Sequence, residues 1–333
     1  MLRPVIYASC LLATSLAFAH HHSGDSAKTK TAEDPLDVLM QQWKREGRRL
    51  NFVADHDHDG DSRVSSMEFE QSRRDRFDIT DTNDDGIVDQ QEYVYEWEDR
   101  LDARIEDDRE SRVNQTYVRF EAMDKDDDAF MSWDEYAASG DRIFTGWDTN
   151  DDNVIDANDP PRESRWTPKA ESEMTAEELT QRNERKMAWA RSTFEMPTTH
   201  RLEGVMARYD LDENGSVGRD EFDGKRRADY DATDYDGNGT LDADEYADEF
   251  QDRMDPVIET YRAESVEQSH RRFEALDNND DGAMTFAEYR ESGNRIFARY
   301  DVTEDGYVKF DDPLPRPFEE LANEPEVAAA NVD

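Results

Sequence analysis

The chain has 333 residues, of which 83 are Asp or Glu and 40 are Lys or Arg, so its formal net charge at pH 7 is −43. Only 35% of the residues are hydrophobic, and a metal-free chain of this composition is expected to repel itself and to fold loosely at best. So acidic a surface argues against nucleic acid as a partner, because phosphate backbones attract basic proteins. The length is enough for two domains of ordinary size.

The segment 1–19 has the features of a secretory signal. Arg3 supplies a positive start, residues 5–18 are apolar, and Ala17-Phe18-Ala19 matches an A-x-A cleavage site. Cys10, the single cysteine of the sequence, lies inside the apolar stretch and follows a poor lipobox. We therefore expect cleavage after Ala19, a mature chain without disulfides, and a periplasmic or secreted protein with no membrane span.

Residues 20–34 are polar and expected to be disordered. Cleavage after Ala19 would leave His20-His21-His22 at the new N-terminus. A free amine followed by His at the third position can hold Cu²⁺ or Ni²⁺ in a square-planar arrangement. The alternative interpretation is a solvated histidine-rich end of the chain.

The most informative feature of the sequence is an acidic pattern that occurs eight times. The pattern is D-x-[DNT]-x-[DN], with an apolar residue at position 8 and a carboxylate at position 12. Each of the last four copies follows its counterpart among the first four at the same interval, which indicates duplication of a four-loop unit. We name each loop by its first residue, and the eight loops begin at Asp57, Asp81, Asp124, Asp148, Asp210, Asp234, Asp277 and Asp301.

This spacing is that of an EF-hand calcium loop. Calcium accepts about six to eight oxygen ligands, which such a loop supplies from positions 1, 3, 5, 7 (a backbone carbonyl) and 12. The candidate ligands in chain order are Asp57, Asp59, Asp61, Arg63 and Glu68; Asp81, Asn83, Asp85, Ile87 and Glu92; Asp124, Asp126, Asp128, Phe130 and Glu135; Asp148, Asn150, Asp152, Val154 and Asp159; Asp210, Asp212, Asn214, Ser216 and Glu221; Asp234, Asp236, Asn238, Thr240 and Glu245; Asp277, Asn279, Asp281, Ala283 and Glu288; and Asp301, Thr303, Asp305, Tyr307 and Asp312.

The eight loops are not expected to bind equally. Loops with Gly at position 6 and Glu at position 12 should bind most strongly; they begin at Asp81, Asp210, Asp234 and Asp277. Ser62 and Ala129 replace that glycine in the Asp57 and Asp124 loops and should weaken binding, because a positive φ costs them more than it costs Gly.

The last loop of each half ends in the shorter Asp159 or Asp312. Fewer carboxylate contacts favour Mg²⁺ or weaken the site. The Asp301 loop is impaired further by Thr303 and by the positive charge of Lys309, so we expect it to bind calcium less well than the Asp148 loop.

Apolar residues around the loops predict helices that enter and leave them. The residues four positions before each loop are Val53, Phe77, Phe120, Phe144, Met206, Tyr230, Phe273 and Phe297, and those at position 13 include Phe69, Tyr93, Tyr136, Phe222, Tyr246 and Tyr289. Position 13 is Pro160 or Pro313 in the closing loops, so the exiting helix of those hands should be stunted or lost. The fold class is therefore predicted as all-α, with tandem helix-loop-helix pairs.

The expected organisation is two lobes of four hands each, at 35–160 and 201–313. Paired loops begin close together in sequence, as Asp57 and Asp81 do, which implies short helices or one bent segment between them. A 161–200 linker should contain a helix capped by Thr175 and Glu178, and 314–333 should be a disordered tail. A long charged helix is expected from Tyr93 to Met123, and a break near Pro256 in its counterpart.

The chain resembles secreted and periplasmic bacterial multi-EF-hand proteins over about 57–313, and more distantly the calumenin and reticulocalbin group. Its close loop spacing is also similar to that of lanmodulin, which binds lanthanides. That family has Pro at loop position 2, whereas this chain has His58, Thr82, Lys125, Thr149, Leu211, Tyr235, Asn278 and Val302. Lanthanide binding is thus a minor alternative to calcium binding.

The sequence favours a non-enzymatic calcium buffer, or an envelope protein that calcium stabilises, with no identified protein partner. The alternative is a calcium sensor that exposes an apolar groove for a protein partner. The charged segment from Gln71 to Arg76 leaves little room for such a groove. An enzyme is disfavoured because no Ser/His/Asp or Cys/His constellation is present and the carboxylates are accounted for as metal ligands.

Overall fold

The computed structural model describes residues 35–160 and 169–315. The expected signal sequence, Cys10, the His20–His22 site and most of the predicted tail lie outside these ranges. The described residues are mostly helical. Their helices are α1 (Pro35–His56), α2 (Ser66–Thr80), α3 (Gln90–Met123), α4 (Trp133–Trp147), α5 (Ala176–Arg191), α6 (Leu202–Tyr209), α7 (Arg219–Thr233), α8 (Ala243–Glu274) and α9 (Phe286–Tyr300). The strands are β1 (Arg63–Ser65), β2 (Ile87–Asp89), β3 (Val154–Ile155), β4 (Val217–Gly218), β5 (Ala283–Thr285) and β6 (Tyr307–Lys309).

The end of a loop is also the start of a helix. Ser65 caps α2 by accepting the N–H of Glu68, whose carboxylate accepts the N–H of Ser65 in return. The same capping box opens α4 and α9. The side chain at loop position 12 therefore satisfies backbone donors at the N-terminus of the following helix. The capping hydrogen bonds come from residues within three positions of the start of each of these helices.

Consecutive loops are joined by one uninterrupted helix. α2 runs from the Asp57 loop to the Asp81 loop, and α4, α7 and α9 connect loops in the same way. A helix of 15 residues is about 22 Å long, so two loops that are neighbours in sequence lie at opposite ends of a rod. The expectation that such neighbours pair with each other is wrong for this reason.

The loops pair instead between the two halves of the sequence. β1 pairs with β6, β2 with β5 and β3 with β4, all antiparallel, and Met131 forms an isolated bridge with Leu241. The order is nested, so that the first loop meets the last and the fourth meets the fifth. The position-8 residues sit at the centre of each pair and are at most 1% exposed; they are Val64, Val88, Met131, Ile155, Val217, Leu241, Met284 and Val308.

The described chain forms two compact units, each of which takes residues from both halves. The first unit comprises 35–96, 169–191 and 269–315, and the second comprises 97–160 and 192–268. The predicted lobes at 35–160 and 201–313 are therefore not the units of the structure. In the described residues the chain passes from one unit to the other within α3, at the end of α5 and within α8.

The apolar anchors form the cores of these units as the sequence predicts. One cluster in the first unit joins Val53 and Phe69 to Phe297 and Val308, and a cluster in the second joins Phe144 to Tyr209 and Phe222. Met206, Tyr246 and Tyr289 are exceptions to complete burial, since each packs only partly buried against its cluster. The cores are small, and these two lie beside the loop pairs.

α8 continues through Pro256, so the break that was expected there is wrong. Phe250 and Met254, on the two turns before Pro256, are buried in the same cluster as Leu101 and Ile105 of α3. Packing of this kind can outweigh the hydrogen bond that a proline removes, and a proline then leaves a long helix continuous.

The linker helix α5 begins as predicted. Glu178 donates its N–H to the Thr175 hydroxyl at 3.2 Å, and its carboxylate accepts the N–H of Thr175 at 2.7 Å. α5 packs along α1 at Gly47, where a Cβ atom would lie 2.0 Å from the carbonyl oxygen of Lys186. None of the helices in the described ranges is both long enough and apolar enough to cross a membrane.

Candidate metal centres

All eight loops fold around the Asp at position 1. Its carboxylate accepts the backbone N–H of position 6 in every loop, at 2.7–3.0 Å. The side chain at position 5 likewise accepts the N–H of position 7 in every loop, at 2.8–3.1 Å. These hydrogen bonds hold the side chains of positions 1 and 5 against the loop backbone.

Each turn requires two residues in the left-handed region, at positions 4 and 6. Position 6 is Gly in five loops, whereas Ser62, Ala129 and Asn153 adopt φ of 67°, 69° and 66°. A non-glycine residue pays about 1–2 kcal/mol for this conformation, and Asn pays less than Ala. The backbone strain predicted for the Asp57 and Asp124 loops is confirmed, while their metal affinities stay predictions.

The residue at position 12 closes the loop. In the first seven loops its carboxylate accepts the N–H of position 2, at 2.6–3.2 Å. Asp159 is among these seven, so the shorter side chain still closes the Asp148 loop. In the Asp301 loop, Asp312 accepts the N–H of Lys309 at position 9, at 2.8 Å, as Glu68 does that of Ser65. The N–H of Val302 at position 2 donates instead to the carbonyl of Tyr300 at 2.9 Å.

Four loops bring three carboxylates together. One oxygen from each of the three side chains lies within 4.8 Å of the other two in the Asp57, Asp124, Asp210 and Asp234 loops. The remaining four loops carry Asn or Thr at position 3, so their oxygen there is neutral; these residues are Asn83, Asn150, Asn279 and Thr303. Clustered carboxylate oxygens are ligands that hard divalent cations prefer.

The charges in the Asp124 loop perturb one another. The N–H groups of Lys125 and Ser132 donate to Glu135 and hold the pKa of that carboxyl below its usual value. Partial desolvation, followed by the negative charges of Asp128 and Glu135, raises the pKa of Asp126. A divalent cation among these groups would relieve their mutual repulsion.

One oxygen of the same loop is left without a partner. Asp124 is 9% exposed, and its Oδ2 accepts the N–H of Ala129 at 3.0 Å. Its Oδ1 is buried and accepts no hydrogen bond from any of the described residues. An unpaired buried polar atom costs about 1–3 kcal/mol, and more when it is charged. A cation shared by Asp124, Asp126 and Glu135 would satisfy this oxygen, so the residues fit a metal.

The Asp301 loop contains its own cation. The Lys309 ammonium pairs with the Asp305 carboxylate, a candidate ligand at position 5, and this hydrogen bond holds the pKa of Asp305 below its usual value. A metal would have to displace the ammonium group. This arrangement agrees with the low calcium affinity that the sequence predicts for this loop.

Replacement of Lys309 by Met should therefore raise the calcium affinity of the Asp301 loop by up to about tenfold, because one positive charge beside the ligands is removed. Lys309→Arg keeps the charge and is the matched control. Single-site NMR titration would measure both variants. An affinity that Met leaves unchanged would show that the ammonium group does not compete with the metal.

Arg73, Arg182 and Arg226 are buried, which the sequence does not predict, and Arg73 and Arg226 make matching contacts. Arg73 donates to the Tyr289 carbonyl and to the Ser292 hydroxyl at 2.6 and 2.7 Å, with its guanidinium 3.3 Å from the centre of the Tyr289 ring. Arg226 makes the equivalent contacts with Tyr136 and Ser139. The sequence carried a signal, since Arg73 and Arg226 occupy equivalent positions of the two repeated halves, but the charged segment around Arg73 hid its burial.

Comparison of the chain with protein-family models, with curated proteins and with solved structures finds no match.

Proposed function

We propose that this protein binds calcium at its eight acidic loops, and that these loops are EF-hands. The observation that carries the proposal is the buried Oδ1 of Asp124, which lacks a partner in a side chain clustered with the carboxylates of Asp126 and Glu135. The seven other loops share the hydrogen bonds that positions 1 and 5 accept in this one. Loops alike in backbone and in ligand spacing are expected to bind the same class of ion.

Calcium is the ion that suits these loops best. Each loop offers oxygens from four side chains and one backbone carbonyl, a set that matches the roughly six to eight ligands calcium takes and exceeds what Mg²⁺ usually draws from protein. Mg²⁺ suits the Asp148 and Asp301 loops, whose position-12 residue is Asp. A lanthanide ion prefers the same hard oxygens, and competition against calcium would reveal such a preference.

Buffering, or stabilisation by calcium, is the role proposed for these loops. α2 packs on α9 and α4 packs on α7, so the helices between loops are already covered on their apolar sides. A sensor needs an apolar groove that opens for a partner, and calcium-dependent binding of a hydrophobic dye would reveal one. Export, the histidine-rich copper or nickel site and the absence of enzymatic activity stay predictions.

Asp124→Asn tests the proposal. The variant should bind one calcium ion fewer, because Asn cannot supply the charged oxygen at position 1. Its metal-free form should be more stable than that of the wild type, because the uncompensated buried charge is gone. Calorimetric titration gives the stoichiometry, and urea unfolding in chelator gives the free energy of unfolding.

Asp127→Asn is the matched control, since Asp127 is exposed at position 4 of the same loop and Asn tolerates its φ of 57°. It should leave both quantities as in the wild type. Full stoichiometry in the Asp124 variant would remove this loop from the set of metal sites.

A further inference from the structure

The four loops of each half are numbered as types one to four in chain order, so that the Asp57 and Asp210 loops are both of the first type. Each compact unit contains one loop of every type. The first unit takes the Asp57 and Asp81 loops from the first half of the chain and the Asp277 and Asp301 loops from the second. The second unit takes the Asp124 and Asp148 loops from the first half and the Asp210 and Asp234 loops from the second half. First-type loops pair with fourth-type loops in both units, and second-type loops pair with third-type loops.

The arginine contacts follow the same exchange. In the first unit, Arg73 from the first half of the chain contacts Ser292 and Gly293 from the second half. In the second unit the roles are reversed: Arg226 from the second half contacts Ser139 and Gly140 from the first half. A Cβ atom on Gly293 or Gly140 would lie 3.0 or 2.8 Å from the Nε of the arginine. These glycines and serines belong to a sequence that both halves share, S-G-x-R-I-F, which spans Ser139–Phe144 and Ser292–Phe297.

From this reciprocity we infer that a second copy of this chain is a binding partner, joined by exchange of halves. The first half of one copy pairs with the second half of the other, and the remaining two halves pair in the same way. Every strand pair and every arginine contact described above within one chain is then formed between two chains. The inference goes beyond metal binding, because it rests on the strand pairs and the arginine contacts.

Closed monomer and exchanged dimer contain the same contacts, so concentration decides between them. The two halves belong to one chain, and their connection includes α5, which packs on α1. A covalent connection gives two partners an effective concentration that is on the order of millimolar in favourable cases. Monomers should dominate well below that concentration. Refolding at high protein concentration should give exchanged dimers, in which each unit is completed by a second chain.

A disulfide between β1 and β6 reports the exchange. Arg63 and Lys309 are direct partners in this antiparallel pair, and the Cα atoms of such partners lie about 4.5–5.5 Å apart, within the range of a disulfide. One full-length chain carries Arg63→Cys and another carries Lys309→Cys, both in a Cys10→Ser background. The two chains are mixed in urea, refolded together in calcium and oxidised.

A mixed disulfide of twice the chain mass is expected on a non-reducing gel, and its yield should rise roughly in proportion to protein concentration below the millimolar range. Arg63→Cys mixed with Asp231→Cys gives the background of random oxidation, because Asp231 is exposed and lies in the other unit. A yield no greater than this background at every concentration would overturn the inference.

The double variant Arg63→Cys/Lys309→Cys in one chain reports the strand pair itself. It should form an intrachain disulfide at low concentration, and its failure would also overturn the inference, because β1 and β6 would not be partners. The disulfides are read without reference to calcium stoichiometry. Failure of calcium binding is therefore distinguishable from failure of exchange.

Discussion

Removal of bound calcium by a chelator is expected to unfold most of the tertiary structure of both units. A site filled at about 1,000 times its Kd contributes roughly 4 kcal/mol, and each unit contains four loops. The sum for one unit is comparable with the whole free energy of unfolding of a typical domain, about 5–15 kcal/mol. The thermal midpoint should fall by about 30 °C or more.

The charge of the chain is the physical reason for this expected dependence of stability on metal. The excess carboxylates, which give a formal net charge of −43, repel one another in the compact state. Eight Ca²⁺ ions would bring the net charge to about −27. Circular dichroism in the near and far ultraviolet, with and without chelator, measures the loss. Equal spectra and equal thermal midpoints in both conditions would contradict a structural role for the metal.

The second large effect is expected from Arg73→Ala. The substitution leaves the Tyr289 carbonyl and the Ser292 hydroxyl with one donor fewer, and it removes the guanidinium stacked on the Tyr289 ring. Loss of a buried group with two hydrogen bonds costs about 3 kcal/mol. Urea unfolding of the calcium-loaded protein should show this loss. Arg295→Ala is the matched control and should cost much less, because Arg295 is exposed on α9 of the same unit.

Hydrogen exchange locates the effect of Arg73→Ala. Faster exchange is expected in α9, whose Tyr289 and Ser292 belong to the other half of the sequence, and not in α4. Arg226→Ala should do the reverse, with faster exchange in α4, where Tyr136 and Ser139 lie. Faster exchange in α4 after Arg73→Ala would mean that the halves of the chain fold separately.

Local features of this fold were predictable because they depend on neighbouring residues. The capping box of Thr175 and Glu178 and the apolar anchors beside the loops each depend on a few neighbouring residues, and the structure confirms that capping box and the burial of anchors such as Phe77. The strain at Ser62 and Ala129 was predictable on the same grounds. The left-handed residues at position 4 were missed, although Asp and Gly predominate there.

Partner choice between loops was not predictable from periodicity. A position-8 residue such as Val88 looks the same whether it faces Val64 or Met284, since every loop carries an apolar residue there. The length of α2 was the available signal: a straight helix of 15 residues keeps adjacent loops about 22 Å apart. A bent or short segment between the Asp57 and Asp81 loops would let these neighbours pair, and the predicted lobes at 35–160 and 201–313 depend on that wrong expectation. The helix break predicted near Pro256 is wrong because α8 continues through the proline, beside the buried Met254.

Native mass spectrometry of the mature protein in calcium tests the central claim most directly. The proposed eight EF-hands predict a folded chain that carries up to eight Ca²⁺ ions, with the first four ions bound most tightly. The same chain unfolded in acid or urea before transfer to calcium-free buffer should carry none. A folded chain that remains free of calcium, or that carries only the scattered adducts of an unrelated acidic protein, would contradict the proposed function.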